Sequence, residues 1–334
     1  VEGITDGRHQ GKALAALAPG LAGDLAARAL DIAVCIEHPS ARIDALSALL
    51  PLLPVESTAR ALQSGLAAAR TPEGHWRSDL HQMLPYMVDA HRIEVLSQEV
   101  RDLRTSPYPW LRAESLISLA PHLDGSLLVE ALQAALELPD VDMSRALCAL
   151  IPHLTNELAA QILQAATNMV NQHNRAEVLV ALIPHVETQQ VPKVSALAAT
   201  MADQYAAALV WVALAARQDW AGRERALESG LRTCLSLPVP SARSRELIRL
   251  LPYLTGSRRV RALEAALEAT LATREPWHWE ERLTAEQELA PLLTGALLDR
   301  ALAASSAIGD GWIRLRALAR LAPWLEAGQR TEAL

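Results

Sequence analysis

Phenylalanine does not occur in this chain of 334 residues, lysine occurs twice among 31 basic residues, and four tyrosines and eight tryptophans are the only other aromatic rings besides histidine. Runs of Val, Ile, Thr and aromatic residues, the material of β-strands, are missing too, which argues against a sheet-based fold. Cysteine is scarce. Cys35, Cys148 and Cys234 lie far apart with no CxxC pair, so neither a disulfide framework nor a cysteine-ligated zinc site is indicated. Reduced, mostly buried thiols in a cytoplasmic protein are expected instead. The longest wholly apolar run, YAAALVWVALAA at 205–216, is twelve residues long. A bilayer span needs roughly 20, so no membrane association is expected and this run reads as a buried helix. No basic-then-apolar leader opens the chain, and its first residue is Val rather than Met, from which a piece of a longer protein is expected. A surplus of positive charge is missing as well: a net charge of -7 and a pI near 5.8 speak against general nucleic-acid binding.

Motifs of chemistry are absent in the same way. There is no HExxH, GxSxG or GxGxxG. GRHQGKA at 7–13 has the outline of a phosphate loop, but three residues separate its glycines and Ala13 stands where a magnesium-binding hydroxyl belongs. In WHWEERLTAEQE at 277–288, helical spacing sets Glu281 and Glu288 on one side, where they solvate a surface. No catalytic residue, metal site or cofactor is expected.

What is present is leucine and alanine, within a 51% apolar composition. Both head the helix propensity scale, and alanine lets helix axes approach closely. A motif of Leu or Met, one or two residues, Pro, any residue and an apolar residue recurs at Pro19, Pro51, Pro85, Pro121, Pro152, Pro184, Pro252, Pro291 and Pro323. The gaps are 32, 34, 36, 31, 32, 68, 39 and 32, and the gap of 68 hides one more unit, VWVALAARQDW, with Arg217 in place of proline. Ten units average about 34 residues, the length of a helix-turn-helix repeat. The expected units lie near 8–37, 40–70, 75–104, 110–138, 142–170, 174–202, 204–237, 241–273, 279–307 and 310–334, in a single domain of residues 1–334.

Each unit divides in two. An amphipathic helix A, as in WLRAESLISLAPHL, ends near its proline, which removes a backbone donor. A helix B follows, as in LLVEALQAALEL, with Leu128, Ala131, Leu132, Ala135 and Leu136 on one stripe. Ser126, Thr155, Thr255 and Thr294 are placed to cap B helices through their side chains. Arg42, Arg112, Arg175, Arg243, Arg282 and Arg314 sit nine residues before their prolines, and Arg145, Arg245 and Arg316 seven before. The column at nine is expected to be structural, each guanidinium bonding a neighbouring repeat's acid or exposed carbonyls. Trp76, Trp110, Trp279 and Trp312 cluster just before these arginines and are expected to seal the joints between repeats.

Short helix pairs cannot bury both faces alone, so they must stack. The expected fold is all-α: a right-handed αα-superhelix, or solenoid, of about ten helix-turn-helix repeats. The Leu/Ala-rich unit, of the form RALxxLAPxL, resembles the HEAT-like and tetratricopeptide-like arrays of bacterial signalling and defence proteins over nearly the whole chain. The arginine precedes the proline here, whereas the HEAT pattern has it after. The resemblance implies the sensor or scaffold region of an effector of the STAND NTPase or caspase-like kind, recognising a protein or peptide partner. A non-enzymatic recognition module is therefore the expected function. The alternatives are a helical-repeat enzyme acting on nucleic acid or a cofactor, and an architectural spacer or oligomerisation segment.

Candidate contact residues come from two patterns. LAPHL, LIPHL and LIPHV place His122, His153 and His185 in one column, held elsewhere by Gly20, Leu52, Tyr86, Gln218, Tyr253, Leu292 and Trp324. Packed helices lie about 8 to 10 Å apart, which sets the outer two histidines roughly 20 Å from each other, whereas zinc wants nitrogens at about 2.0 to 2.1 Å. They cannot share an ion. They read as half-exposed turn residues, or, with Tyr86, Tyr253 and Trp324, as a contact row for a partner. Second, residues 217–261 carry ten Arg against four acids. Arg223, Arg225, Arg249, Arg258, Arg259 and Arg261 are its candidates for an acidic partner, against the plainer reading of a solvated or ion-paired helix face.

Overall fold

A computed structural model describes residues 6–69, 81–217, 220–273 and 276–326. Trp76, Gln218 and most of the first half of the third repeat lie outside the described residues. Among the described residues the chain is all-α, with 18 α-helices and no strand. They form a helical repeat array in which A and B helices alternate, except that α4 and α5 are two described B helices in succession. The A helices are α1 (Gly7–Leu17), α3 (Pro39–Leu49), α6 (Pro109–Leu119), α8 (Asp140–Leu150), α10 (Gln172–Leu182), α12 (Gln204–Ala216), α14 (Pro240–Leu250), α16 (Trp279–Leu289) and α18 (Gly311–Leu321). The B helices are α2 (Asp24–Val34), α4 (Val55–Ala69), α5 (Asp89–Thr105), α7 (Gly125–Leu136), α9 (Asn156–Asn168), α11 (Val191–Thr200), α13 (Arg223–Ser236), α15 (Gly256–Ala272) and α17 (Ala296–Ser306). The chain divides into two compact units, Val1–Leu158 and Ala159–Leu334.

The proline sets the end of helix A by a specific device. Every described A helix except α12 runs for 11 residues and passes into one 3-10 turn, with the proline as that turn's second residue. Proline has no amide hydrogen to donate into the ladder, so the helix tightens and stops there. The next residue, the His/Tyr/Trp column, closes the turn, and the chain then extends before helix B. In α12 the register departs from the expected Arg217: the N-cap Asp203, like the other A-helix N-caps thirteen residues before their prolines, sets Ala216 at the proline's place, and the turn is missing. Arg217 instead leaves the helix extended, and its Nη1 donates to the carbonyls of Ile183 (2.8 Å) and Val186 (2.6 Å) in the preceding repeat's turn.

The start of helix B departs from the expected side-chain caps. Thr255 stands at the N-cap of α15 but makes no side-chain cap bond, Ser126 lies inside α7, and Thr294 precedes the N-cap Gly295 of α17. Gly23, Gly125, Gly256 and Gly295, each four residues after its proline, have positive φ between 47° and 56°. Residues with a Cβ avoid that conformation, so glycine turns the chain into helix B here. Side-chain caps occur on helix A instead: Asp6, Asn171, Asp203 and Asp310 each accept from amides in the first turn.

In each unit the A helices lie closer to one another than the B helices do, so the A row is the inner row. Small residues permit this. A Cβ on Gly11 would lie 2.5 Å from the Ala41 carbonyl oxygen of α3. GRHQGKA is therefore the packed start of α1, and its second glycine serves helix contact rather than phosphate binding. Gly11→Ala should lower the urea midpoint of unfolding, by about 1–3 kcal/mol of overpacking strain, with helical content before the transition unchanged. The run at 205–216 forms α12, whose Ala206, Ala208, Val210, Trp211 and Leu214 are buried. Among the described residues no helix is long and apolar enough to cross a membrane.

Candidate functional site

The arginine column stitches each A helix to the helix before it. Arg42 Nε donates to the Ile36 carbonyl (2.6 Å), Arg243 Nε to Leu237 (2.8 Å) and Arg314 Nη1 to Ile308 (2.9 Å), while Arg175 Nη2 bonds Met169. Each acceptor lies six residues back, just past the end of the preceding B helix, where carbonyls have no helical partner. Arg112 turns the other way, to the Ala134 carbonyl and Glu137, both at 3.3 Å. Arg282 is discussed below. The arginines at seven residues before the proline reach the preceding A helix instead. Arg145 pairs with Glu114, Arg316 with Glu280 (2.9 Å), and Arg245 Nη2 donates to Tyr205 Oη (2.6 Å).

The tryptophans divide. Trp279 is half-buried beside Leu283, Ile308 and Ala317 at the α16–α18 joint, whereas Trp110 and Trp312 are more than half exposed and seal nothing among the described residues. Two of the thiols also depart from expectation: Cys35 is exposed and Cys148 half-buried, and only Cys234 is buried. Burial, and secondarily the Glu246 charge, push the Cys234 thiol up to about 12, leaving it unreactive.

The histidine column lies at the turn corner. Tyr86, His153 and Trp324 are exposed there, and His122, His185 and Tyr253 half-buried. Among the described residues no group of three or more His, Cys, Asp or Glu side chains is placed to hold a metal. Partial burial, then the positive neighbours His81, Arg92 and His153, hold the His122 pKa below its ordinary 6.5. A depressed histidine pKa favours the folded chain above 6.5, and that contribution is lost as pH falls through the folded value. Melting temperatures measured across this range should fall on acidification, less steeply for His122→Asn.

The basic stretch does not form one patch. Arg249 lies on inner helix α14, whereas Arg225, Arg259 and Arg261 are exposed on outer helices α13 and α15, where Arg258 pairs with Glu224. Arg223 is half-buried at the start of α13.

Several cavities open along the A helices. In the first unit a cavity of about 440 Å³ is lined by Lys12, Asp44, Ser47, Gln82 and Tyr86. In the second, a cavity of about 560 Å³ between α12 and α14 meets one of about 440 Å³ between α14 and α16, the two sharing Ser241, Arg245 and Glu281. Together they make a trough with three kinds of wall. Tyr205, Leu237, Pro238 and Val239 are at one end, the guanidiniums of Arg245 and Arg249 lie along α14, and Glu280, Glu281 and Glu288 line α16.

The charged wall is built in advance. Glu246 has no exposed side-chain surface, yet its carboxylate accepts from Arg245 Nε (3.1 Å) and Arg249 Nη1 (3.2 Å). At this register α3, α8, α16 and α18 carry Ala45, Ala146, Ala285 and Ala317, α6 Ser115 and α10 Val178, so a buried carboxylate stands where the other helices have a small or apolar residue. Burial works against the Arg245 charge, but Glu246 and Tyr205 outweigh it and keep the guanidinium protonated. That guanidinium also covers the Tyr205 ring at 5.5 Å, and His173 stacks on the same tyrosine at 6.1 Å. Tyr205, Glu246 and Glu280 were missed as site residues in the sequence. The glutamate at an alanine register was the available signal. No protein-family model matches the chain, and comparison with curated proteins finds no match either.

Proposed function

We propose that the chain is a non-enzymatic recognition module whose inner-row trough, across α12, α14 and α16, grips a segment of a protein or peptide partner. The continuous trough, with both signs of charge and an aromatic–apolar end, is the observation that carries this reading. A site that fixes two arginines with a buried carboxylate spends core stability on orientation, which favours a ligand bound in one register. The occupant that fits is a peptide with an acidic side chain for Arg245 and Arg249, a basic one for Glu281 and Glu288, and an apolar one for Val239. The resemblance of the repeat unit adds that the module serves as sensor or scaffold in a larger bacterial signalling or defence protein, of the STAND NTPase or caspase-like kind.

Panning a random peptide library against the purified chain tests this reading. Enriched peptides should carry mixed charge and bind Arg249→Glu and Glu281→Lys variants at least about tenfold more weakly. Glu246→Ala should also weaken them while leaving stability level or higher, since it restores the alanine found in α3, α8, α16 and α18. Peptides that bind all three variants as tightly as the parent chain would overturn the assignment.

A further inference from the structure

Three uncharged polar side chains of the trough have no part in its charged walls. Gln204 of α12, Ser241 of α14 and Thr284 of α16 line it, so each A helix along its length contributes one amide or aliphatic hydroxyl. Gln204 and Ser241 make no side-chain hydrogen bond among the described residues. Thr284 Oγ1 donates to the Glu280 carbonyl (2.8 Å), which leaves its lone pairs to accept. Such groups carry no charge to match an acidic or basic side chain. What they match is a main chain, whose amides donate and whose carbonyls accept.

A helical ligand would not use them. Its main-chain groups are paired within the helix, and helices dock by laying an apolar stripe into an apolar groove. Here the apolar wall, Leu237, Pro238 and Val239 with the Tyr205 ring, is confined to one end, and beyond it the walls are guanidinium and carboxylate. An extended chain offers one unpaired donor and one unpaired acceptor per residue, and its alternate side chains share a face about 6–7 Å apart. Packed helices stand about 8–10 Å apart, a difference within reach of long charged side chains. Within a helix the same distance takes about six residues.

We propose that the trough takes its peptide extended, with the main chain held by Gln204, Ser241 and Thr284 and alternate side chains meeting the apolar end, the two arginines and the α16 carboxylates in turn. This rests on the peptide-recognition reading and adds to it the conformation, the order of residues and the main-chain contact. The ligand class is then an unstructured segment bearing an apolar, an acidic and a basic residue at every second position.

Calorimetric titration tests this with seven-residue synthetic peptides carrying valine, glutamate and lysine at positions two, four and six, in that order and in its reverse, with serine elsewhere. A counterpart is N-methylated at positions three and five, which removes main-chain donors and leaves every side chain in place. A third peptide, stapled as a helix, spaces glutamate and lysine six residues apart. The parent chain should bind one of the extended peptides, lose at least about tenfold on N-methylation and bind the helix more weakly still. Gln204 is exposed and Ser241 half-buried. Gln204→Ala and Ser241→Ala should each weaken binding about two- to tenfold with circular dichroism unchanged. They should weaken panned peptides of different sequence by the same factor, because main-chain contacts ignore side chains. Binding that survives both variants and N-methylation, or is as tight for the helix, overturns the extended mode, and continued sensitivity to Arg249→Glu then leaves the peptide reading standing. If no synthetic or panned peptide binds the parent chain, both are overturned.

Discussion

Replacing Arg282 with alanine should lower the free energy of unfolding by about 3–5 kcal/mol, one of the two largest single-residue losses expected. Arg282 and Glu286, one turn apart on α16, are 4% and 1% exposed and joined by an Nε–Oε1 hydrogen bond of 2.9 Å. At Glu286's register the other A helices carry Leu46, Leu116, Leu147 or Leu247, so the carboxylate replaces a core leucine. The connector before α16 explains why. In this repeat, 39 residues after the last proline, the carbonyl within reach of Arg282 is that of Thr273, nine residues back and 3.5 Å away. Glu286 supplies the acceptor that the displaced carbonyl does not, and the Trp279 ring, 5.0 Å from the guanidinium, covers it. The pair is incompletely satisfied: Arg282 Nη2 and Glu286 Oε2 have no hydrogen-bond partner.

Removing one partner strands the other charge in the core, whereas replacing both with apolar side chains does not. The double change Arg282→Met with Glu286→Leu should therefore be level with the parent or more stable by about 1–4 kcal/mol in urea unfolding. If the double variant falls as far as Arg282→Ala, the guanidinium's bond to Thr273 matters more than the ion pair. Burial, offset in part by the Arg282 bond and charge, raises the Glu286 pKa above its ordinary 4.5. The folded chain then holds that proton more tightly than the unfolded one. This contribution to stability is complete below 4.5 and is lost as pH rises through the folded value. Glu286→Gln, neutral throughout, should flatten that decline.

Arg217→Ala is expected to cost about 2–4 kcal/mol, because charged donors to buried carbonyls contribute more than neutral ones and both Ile183 and Val186 lose theirs. Chemical unfolding measures the loss, and an Arg217→Ala variant as stable as the parent chain would remove the tether's role.

The repeat was legible because its signal is local. Proline ends helix A by removing a donor, whatever packs around it, so the spacing of Pro51, Pro121 and Pro291 carries the helix boundaries directly. The start of helix B was misread for a related reason. Threonine and serine near Pro252 and Pro291 resemble caps, but Gly256 and Gly295 take the positive-φ turn, and one glycine in a Leu/Ala-rich chain draws little notice. The trough was legible only in pieces. Arg245 and Arg249 stood in the basic stretch and Glu281 and Glu288 on one helix side, but their meeting depends on how α14 and α16 lie side by side. Tyr205 is 40 residues from the guanidinium it supports, a pairing that no periodicity within one repeat contains.

The described A helices keep 11 residues wherever proline follows, while B helices range from 10 to 17. One residue inserted into an A helix would rotate everything after it by about 100° and turn its arginine away from the carbonyl behind it. One inserted into a B helix ahead of the accepting carbonyl is absorbed before the next arginine, whereas one in the connector moves that carbonyl, as before Arg282. Insertions and deletions in natural variants should therefore collect between a proline and the carbonyl six residues before the following arginine, and the eight residues separating that arginine from its own proline act as a fixed ruler against which new repeats can be duplicated without loss of phase.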